Sequence, residues 1–242
     1  MDKPEITTLA LARSLNCIET IFAENKALRR EKQFFDYLMV LDFEATCWNK
    51  TDYDKGQSEI IEFPCVLYDV VNDKVISEFQ QYVMPTERQK LSTFCTELTG
   101  IQQTQVDNGV PLKTCLVLFH RWLNQQILKY NISLKFPTSF CKTCVFATWS
   151  DWDLGNCLKN ECRRKGIIRH DMFNRWIDVR SLYVEHYNVK PKGLLGALNE
   201  VGLTFEGTQH CGLHDARNTA KLIGKMVNDG VGLRITKDIS NK

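Results

Sequence analysis

Two acidic residues, Asp42 and Glu44, follow an apolar run and are separated by one residue. The run, residues 37–41, reads YLMVL, which is typical of a strand that is buried on both faces. Because side chains alternate along a strand, positions i and i+2 point to the same side. Asp42 and Glu44 therefore point together at the end of a buried strand, where two like charges repel unless a cation lies between them.

Further acidic residues occur at comparable points of the chain. The segment VFATWSDWDLG predicts a strand that ends near Asp151 and Asp153, and HCGLHDARNTA places His210 in a loop and Asp215 in the first turn of the last helix. A helix N-cap or the helix dipole would also explain these acids. Acidic side chains that gather at one edge of a sheet supply carboxylate oxygens, which favour the binding of Mg²⁺ or Mn²⁺. Two such ions together can promote cleavage of a phosphodiester bond. In such a reaction His210, which the ions do not need as a ligand, is available for proton transfer.

The surrounding pattern predicts the elements that position these residues. Strands are expected at 37–43, 60–69, 74–83, 144–149 and 176–179, the first three as an antiparallel meander. Helices are expected at about 111–130, 153–165, 193–201 and 214–229. This order indicates an α/β fold with a mixed five-stranded sheet and helices on both faces. Active sites in such sheets lie at the carboxyl ends of strands.

Composition and length set the remaining expectations. The chain has 242 residues, of which 43% are hydrophobic and 25% charged, and no apolar run approaches the roughly 20 residues of a membrane helix. The acidic start does not resemble a signal peptide, and cysteines within apolar runs suit a reducing compartment, so a cytoplasmic or nuclear protein is expected. We predict an amphipathic helical extension at 1–33, a domain at 34–232 and a tail at 233–242.

Several motifs carry a family resemblance. DFEATC, SDWDLG and HCGLHDARN, in this order, resemble the three motifs of the DEDDh 3′-to-5′ exonucleases of the ribonuclease H-like superfamily. The segments IIEFPCVLYDV, CTELTGIQQTQVD and KPKGLLGALNEVGL are similar to the ERI (enhanced RNA interference) branch of exoribonucleases, and most to its Snipper-like and exonuclease-domain-containing members. The similarity covers roughly residues 34–232, and it implies a ribonuclease H-like fold.

The resemblance implies a metal-dependent 3′-to-5′ exoribonuclease that releases nucleoside 5′-monophosphates. Its catalytic residues would be Asp42, Glu44, Asp153, His210 and Asp215. The four acids are expected to bind two divalent cations, Mg²⁺ or Mn²⁺, and His210 to act as general base. Activity would then rise through roughly pH 6–8 as a histidine loses its proton. His214 departs from the family, in which an acid usually precedes the final Asp.

The resemblance also implies contacts with the terminal nucleotide. These are expected from Glu44, Ala45, Thr46, Leu98, Thr99 and His210. Trp152 is expected either to stack on a base or to pack against the end of the sheet.

Three alternatives remain open from the sequence. The substrate is expected to be RNA with a free 3′ end, but the same motifs serve DNA exonucleases. A nucleic-acid-binding scaffold without catalysis is a second alternative. A zinc-binding module at Cys141 and Cys144 is a third, although one pair of cysteines is only half of a zinc site, and the simpler interpretation is that both are ordinary thiols.

Overall fold

The computed structural model describes residues 25–51, 56–135 and 140–240. Most of the predicted N-terminal helix therefore lies outside the described residues, although residues 25–31 are helical. Arg30 anchors this segment: its guanidinium donates to the backbone oxygens of Val70, at 2.8 Å, and Gly224, at 2.9 Å, and pairs with Asp73 at 2.5 Å. The end of the extension is thus attached to the domain that follows.

Five principal strands form a mixed sheet. They are β1 (Tyr37–Leu41), β3 (Ile60–Asp69), β4 (Lys74–Tyr82), β6 (Lys142–Thr148) and β7 (Arg175–Asp178). Their spatial order is β4-β3-β1-β6-β7; the β4/β3 and β3/β1 pairs are antiparallel, whereas β1/β6 and β6/β7 are parallel. The predicted mixed five-stranded sheet is confirmed. Three two-residue strands extend it: β2 (Glu44–Ala45), β5 (Ile132–Ser133) and β8 (Lys237–Asp238).

Helices cover both faces of this sheet. They are α1 (Thr93–Thr99), α2 (Gln103–Asp107), α3 (Leu112–Tyr130), α4 (Leu158–Arg164), α5 (Val179–Tyr187), α6 (Gly193–Glu200) and α7 (Gly212–Asp229). A π-helical turn, Trp152–Cys157, leads directly into α4, and a 3₁₀ turn, Asp171–Asn174, precedes β7. Within the described ranges, no helix is long and apolar enough to span a membrane.

Side chains of β1 alternate between the two faces of the sheet, and those on each face pack into a separate apolar cluster. Leu38 and Val40 pack into one apolar cluster with α5, α6 and α7. Met39 and Leu41 pack into a second cluster with α3 and α4 on the opposite face. The continuous apolar run therefore buries both faces of the central strand. Helix α7 packs on β1 and β3, and its first residue, Gly212, lies against the backbone of Asp42 at the end of β1.

The C-terminal segment also packs on the sheet. Leu233 is buried, and β8 pairs antiparallel with β7 through Lys237 opposite Trp176. The described residues after 232 thus add a short strand to one sheet edge. The predicted domain boundaries themselves stay predictions.

Candidate active site

Four acidic side chains converge where the strands β1 and β6 end. Asp42 directly follows β1, Glu44 begins β2, Asp153 lies in the π-helical turn after β6, and Asp215 lies in the first turn of α7. Burial and the charges of the other three carboxylates raise the pKa of Asp42 well above its ordinary value. The structure therefore brings together the four acids predicted from the motifs.

The other three carboxyl groups are perturbed in the same direction. Burial, followed by nearby carboxylates, raises the pKa of Glu44 to about 9. Burial also raises the pKa of Asp153 and of Asp215 to about 7, although backbone N–H groups of Phe43 and His210, respectively, donate to them and oppose the shift. Ionising the whole cluster is therefore unfavourable unless positive charge enters it.

The donor chemistry of the cluster fits hard divalent cations. Among the described residues, no three Asp, Glu, His or Cys side chains are arranged so that they already form a metal site. The cluster nevertheless supplies carboxylate oxygens, which Mg²⁺ and Mn²⁺ prefer, and the charges of its members raise one another's pKa values. A bound cation would relieve this repulsion. The assignment of Asp42, Glu44, Asp153 and Asp215 as ligands stays a prediction.

A fifth acid, Glu62, borders the cluster and was missed by sequence reasoning. It lies within β3, is only 1% exposed, and raises the pKa of Asp42, Glu44 and Asp215. Its carboxylate accepts from the side-chain amide of Gln80 at 2.6 Å and from the backbone N–H of Gly212 at 3.0 Å. Glu62 thus holds the start of α7. An acid inside the apolar run IIEFPCV was the signal that could have found it.

Gly212 lets α7 approach the end of β1 closely. A Cβ atom at this position would lie 2.4 Å from the backbone oxygen of Asp42 and 2.9 Å from Cγ of Pro64. Both neighbours are parts of the framework that cannot rotate away. Glycine is therefore required for Asp215 to reach the cluster from α7.

Replacing Gly212 by Ala is expected to disturb stability and activity together. The added methyl group must push α7 away from β1, which should lower the free energy of unfolding by about 1–3 kcal/mol and displace Asp215. Urea unfolding measures the first effect, and the rate of the nuclease activity that the motifs lead us to expect measures the second. Gly232→Ala is the matched control, because a Cβ atom there meets nothing within 4 Å. Equal behaviour of the two variants would contradict this role of Gly212.

His210 lies in an exposed turn whose backbone is held against Asp215. Its φ angle is +59°, in the left-handed region, and its backbone N–H donates to the Asp215 carboxylate. His214 holds the same loop, since its Nδ1 accepts from the backbone N–H of Thr208 at 3.0 Å. The departure from the family at position 214 thus contributes to the structure of the His210 loop.

Thr46 and Thr99, two of the residues predicted to contact the nucleotide, use their side-chain hydroxyl groups for hydrogen bonds within the protein. Oγ1 of Thr46 accepts from the backbone N–H of Glu59 at 2.9 Å, and Oγ1 of Thr99 donates to the backbone oxygen of Cys95 at 2.8 Å. Both threonines are buried. Their hydroxyl groups therefore stabilise the loop after β2 and the end of α1.

Other predicted contacts remain accessible. Leu98, on α1, is 37% exposed, and Trp152, at the start of the π-helical turn, is 41% exposed. Ala45 is buried in β2, so its backbone is the part of it relevant to a ligand. Trp152 is therefore not completely packed against the end of the sheet, and its contact with a base stays a prediction.

The carboxylate of Asp151 pairs with residues of β7 and β8. Its Oδ1 accepts from Nε1 of Trp176 at 3.1 Å, and its Oδ2 pairs with Nζ of Lys237 at 2.6 Å. It makes no side-chain N-cap hydrogen bond to the turn that follows. Asp151 therefore holds β7 and β8 to the end of β6.

Comparisons with known proteins agree with this arrangement. A family model described as exonuclease (RNase_T) matches residues 39–223. The chain belongs to the exonuclease family. It is 49% identical to human (Homo sapiens) ERI1 exoribonuclease 2 over 97% of the chain and 35% of that protein. It is 44% identical to the 3′-5′ exonuclease Snipper of Drosophila melanogaster, over 90% of the chain and 80% of Snipper.

A solved structure shows the same fold. The nuclease domain of 3′hExo, a DEDDh family member bound to rAMP, superposes with a TM-score of 0.74 at 31% identity, over 85% of this chain and 98% of that one. The predicted membership of the DEDDh class and its ERI branch, together with the ribonuclease H-like fold, is confirmed, and the family is one of phosphodiester hydrolases. The chain spans about one third of the length of the human ERI1 exoribonuclease 2 that it matches.

Proposed function

We propose that this chain is a divalent-metal-dependent 3′-to-5′ exoribonuclease that releases nucleoside 5′-monophosphates. The observation that carries the proposal is the cluster of Asp42, Glu44, Asp153 and Asp215 beside the His210 loop, in a member of the exonuclease family. Relatives support RNA as the substrate: human ERI1 exoribonuclease 2 is named as an exoribonuclease, and the nuclease domain of 3′hExo has a solved structure bound to rAMP.

The acidic residues would supply the charge that catalysis needs. Asp42, Glu44, Asp153 and Asp215 would hold two cations, Mg²⁺ or Mn²⁺. The chemistry that such a pair of cations would supply, when bound, is a lowered pKa of the attacking water and stabilisation of charge on the leaving 3′-oxygen. Since the cluster carries several carboxylates and raised pKa values, it binds these cations best when its acids are ionised.

The remaining residues would orient the substrate and move the proton. His210 takes the proton of the attacking water through its imidazole, whose loop is tied to Asp215 by the backbone hydrogen bond. Leu98 and Trp152, both partly exposed, contact the base of the terminal nucleotide. The backbones of Ala45 and Thr46, next to Glu44, contact its sugar. A site that holds the last nucleotide in this way acts only on a free 3′ end.

A 5′-labelled single-stranded RNA tests the proposal, together with a DNA of the same sequence and a circular form of the RNA. We expect a ladder that shortens from the 3′ end with Mg²⁺ or Mn²⁺, nucleoside 5′-monophosphates as products, and no reaction with EDTA. RNA should be degraded faster than DNA, and circular RNA should stay intact. Cleavage of the circle would contradict an exonuclease. Binding without any shortening would favour a catalytically inactive scaffold, and faster DNA degradation would favour a DNA exonuclease.

A further inference from the structure

Two cysteines lie near Glu44 of the acidic cluster, on two segments of the chain that contact each other. Cys47 follows Glu44 by three residues and is partly exposed, whereas Cys95 lies in α1 and is fully buried. Ser92 connects them: its Oγ donates to the backbone oxygen of Cys47 at 2.6 Å and accepts from the backbone N–H of Cys95 at 2.9 Å. The loop after β2 and helix α1 are therefore held together at these two residues.

The two sulfur atoms also contact each other directly. The thiols of Cys47 and Cys95 form a hydrogen bond, and the backbone N–H of Cys47 donates to the sulfur of Cys95. The Cys95 thiol in turn contacts the backbone oxygen of Ala45 at 3.7 Å. Two sulfurs in hydrogen-bond contact need to approach by only about 1–2 Å to reach the ~2.05 Å length of a disulfide bond.

This pair differs chemically from the cysteines in the core. Burial raises the pKa of the thiols of Cys65, Cys115, Cys144, Cys157 and Cys162, which makes them poor nucleophiles. The hydrogen bond from the Cys47 thiol, with the backbone N–H of Cys47, lowers the pKa of Cys95 to about 7. The same hydrogen bond raises the pKa of Cys47, so the pair loses one proton near neutral pH and keeps the second proton between its two sulfurs. Cys47 is the partly exposed member of the pair.

We propose that Cys47 and Cys95 form an intramolecular disulfide in the presence of a peroxide, and that this bond switches off the nuclease. The second part rests on the proposed exoribonuclease function. The inference is carried by the contact of the two thiols and by their position between the Glu44 segment and the helix that bears Leu98.

The oxidation proceeds in two balanced steps. Transfer of the shared proton to Cys95 leaves a thiolate on Cys47. This thiolate attacks one oxygen of the peroxide, and the O–O bond breaks. The leaving oxygen takes a proton from solvent and departs as water when the oxidant is hydrogen peroxide. Cys47 is then a sulfenic acid. The Cys95 sulfur attacks the Cys47 sulfur, the S–O bond breaks, and a second water leaves. Two thiols and one hydrogen peroxide thus give one disulfide and two waters.

The disulfide would change the site that holds the terminal nucleotide. Forming it pulls the segment after Glu44 towards α1 and removes the contact of the Cys95 thiol with Ala45. Ala45 and Thr46 lie on one side of this junction, and Leu98 and Thr99 on the other. Since misplacement of a substrate by about 1 Å can cost about a hundredfold in rate, a small shift here is sufficient to inhibit.

The test follows the covalent state and the activity of the full 242-residue chain separately. The reduced protein is treated with hydrogen peroxide, its free thiols are then blocked with N-ethylmaleimide, and it is digested for mass spectrometry. We expect a linked pair of peptides containing Cys47 and Cys95, lighter by two hydrogens than their sum and separated by dithiothreitol. The rate on 5′-labelled RNA should fall by at least about tenfold and return with dithiothreitol.

Cys47→Ser is the decisive variant, since position 47 is partly exposed and serine can keep its hydrogen bonds. It should keep its rate after peroxide, while the control Cys141→Ser should lose its rate as the wild type does. Absence of the linked peptides, linked peptides without inhibition, or equal sensitivity of Cys47→Ser and the wild type would each overturn the proposal. Failure of the reduced protein to degrade RNA would instead contradict the proposed function, because the peptide measurement does not depend on activity.

Discussion

Replacing Asp42 by Asn is expected to lower the rate of RNA degradation by at least about a thousandfold. The amide cannot supply the negative charge that holds a divalent cation, and Asp42 is the residue on which the other three acids of the cluster act together. The same change removes repulsion from a crowded cluster. Without divalent cations, Asp42→Asn should therefore unfold at a higher temperature than the wild type does, so a loss of folding cannot explain the lost activity.

Asp151→Asn is the matched control for this variant. Asp151 lies two residues before Asp153, but its carboxylate pairs with Lys237 and Trp176. The substitution should leave the rate within a few-fold of the wild type and reduce stability by about 1 kcal/mol or less. Single-turnover measurements on 5′-labelled RNA compare the two variants. If both lost activity equally, or if Asp42→Asn retained it, the acidic cluster would not be the catalytic site.

Divalent cations are expected to stabilise the folded chain strongly, and more so at high pH. A ligand at 100 times its dissociation constant adds about 2.7 kcal/mol to the free energy of unfolding. In a protein of this size, that should raise the melting temperature by roughly 5–10 °C. Thermal scans with Mg²⁺ or Mn²⁺, against NaCl at equal ionic strength, measure the shift.

The pH dependence follows from the raised pKa values of the cluster. Asp153 and Asp215 have folded pKa values of about 7 and Glu44 of about 9, whereas unfolded carboxyl groups titrate near 4. Their contribution to stability is fully present below about pH 4 and is lost as pH rises towards the folded values, since the unfolded chain then binds fewer protons. The metal-free cluster therefore destabilises the fold increasingly between about pH 4 and pH 9.

A cation reverses this loss by replacing the protons. The increase in melting temperature caused by Mg²⁺ should consequently be larger at pH 8.5 than at pH 5.5. Carboxyl groups with lowered pKa values, such as Asp36 and Glu59, have the opposite pH dependence, but they contribute equally with and without the cation. Asp153→Asn should shrink the effect of Mg²⁺. An equal shift at both pH values, or an undiminished one in Asp153→Asn, would contradict binding at the cluster.

Much of the sheet could be predicted because its signals are local. The apolar run of β1 shows burial on both faces, and the acids that follow mark its carboxyl end. The long helices α3 and α7 carry a periodic apolar face, which a stretch of sequence displays by itself. The predicted catalytic positions also lie in short motifs, so they could be named before their neighbours in space were known.

Among the short helices, α4 and α6 fall within predicted helices, whereas α1, α2 and α5 were not predicted, because so few turns show little periodicity. Helix α1 has seven residues and depends on its ends: Ser92 caps its start, and Gly100 closes it with a φ angle of +73°. Helix α5 is capped at its start by Asp178, whose side chain accepts from the backbone N–H of Ser181. Contacts with distant parts of the chain complete these helices.

The sequence by itself determined the fold class, the family and the set of acids, because each of these depends on residue types at short spacing. Only the tertiary structure decided which groups meet. Glu62 bonds to Gly212 across 150 residues, Asp151 turns away to Lys237, and Cys47 meets Cys95. Such contacts depend on how strands and helices pack, and packing joins residues that no local pattern relates.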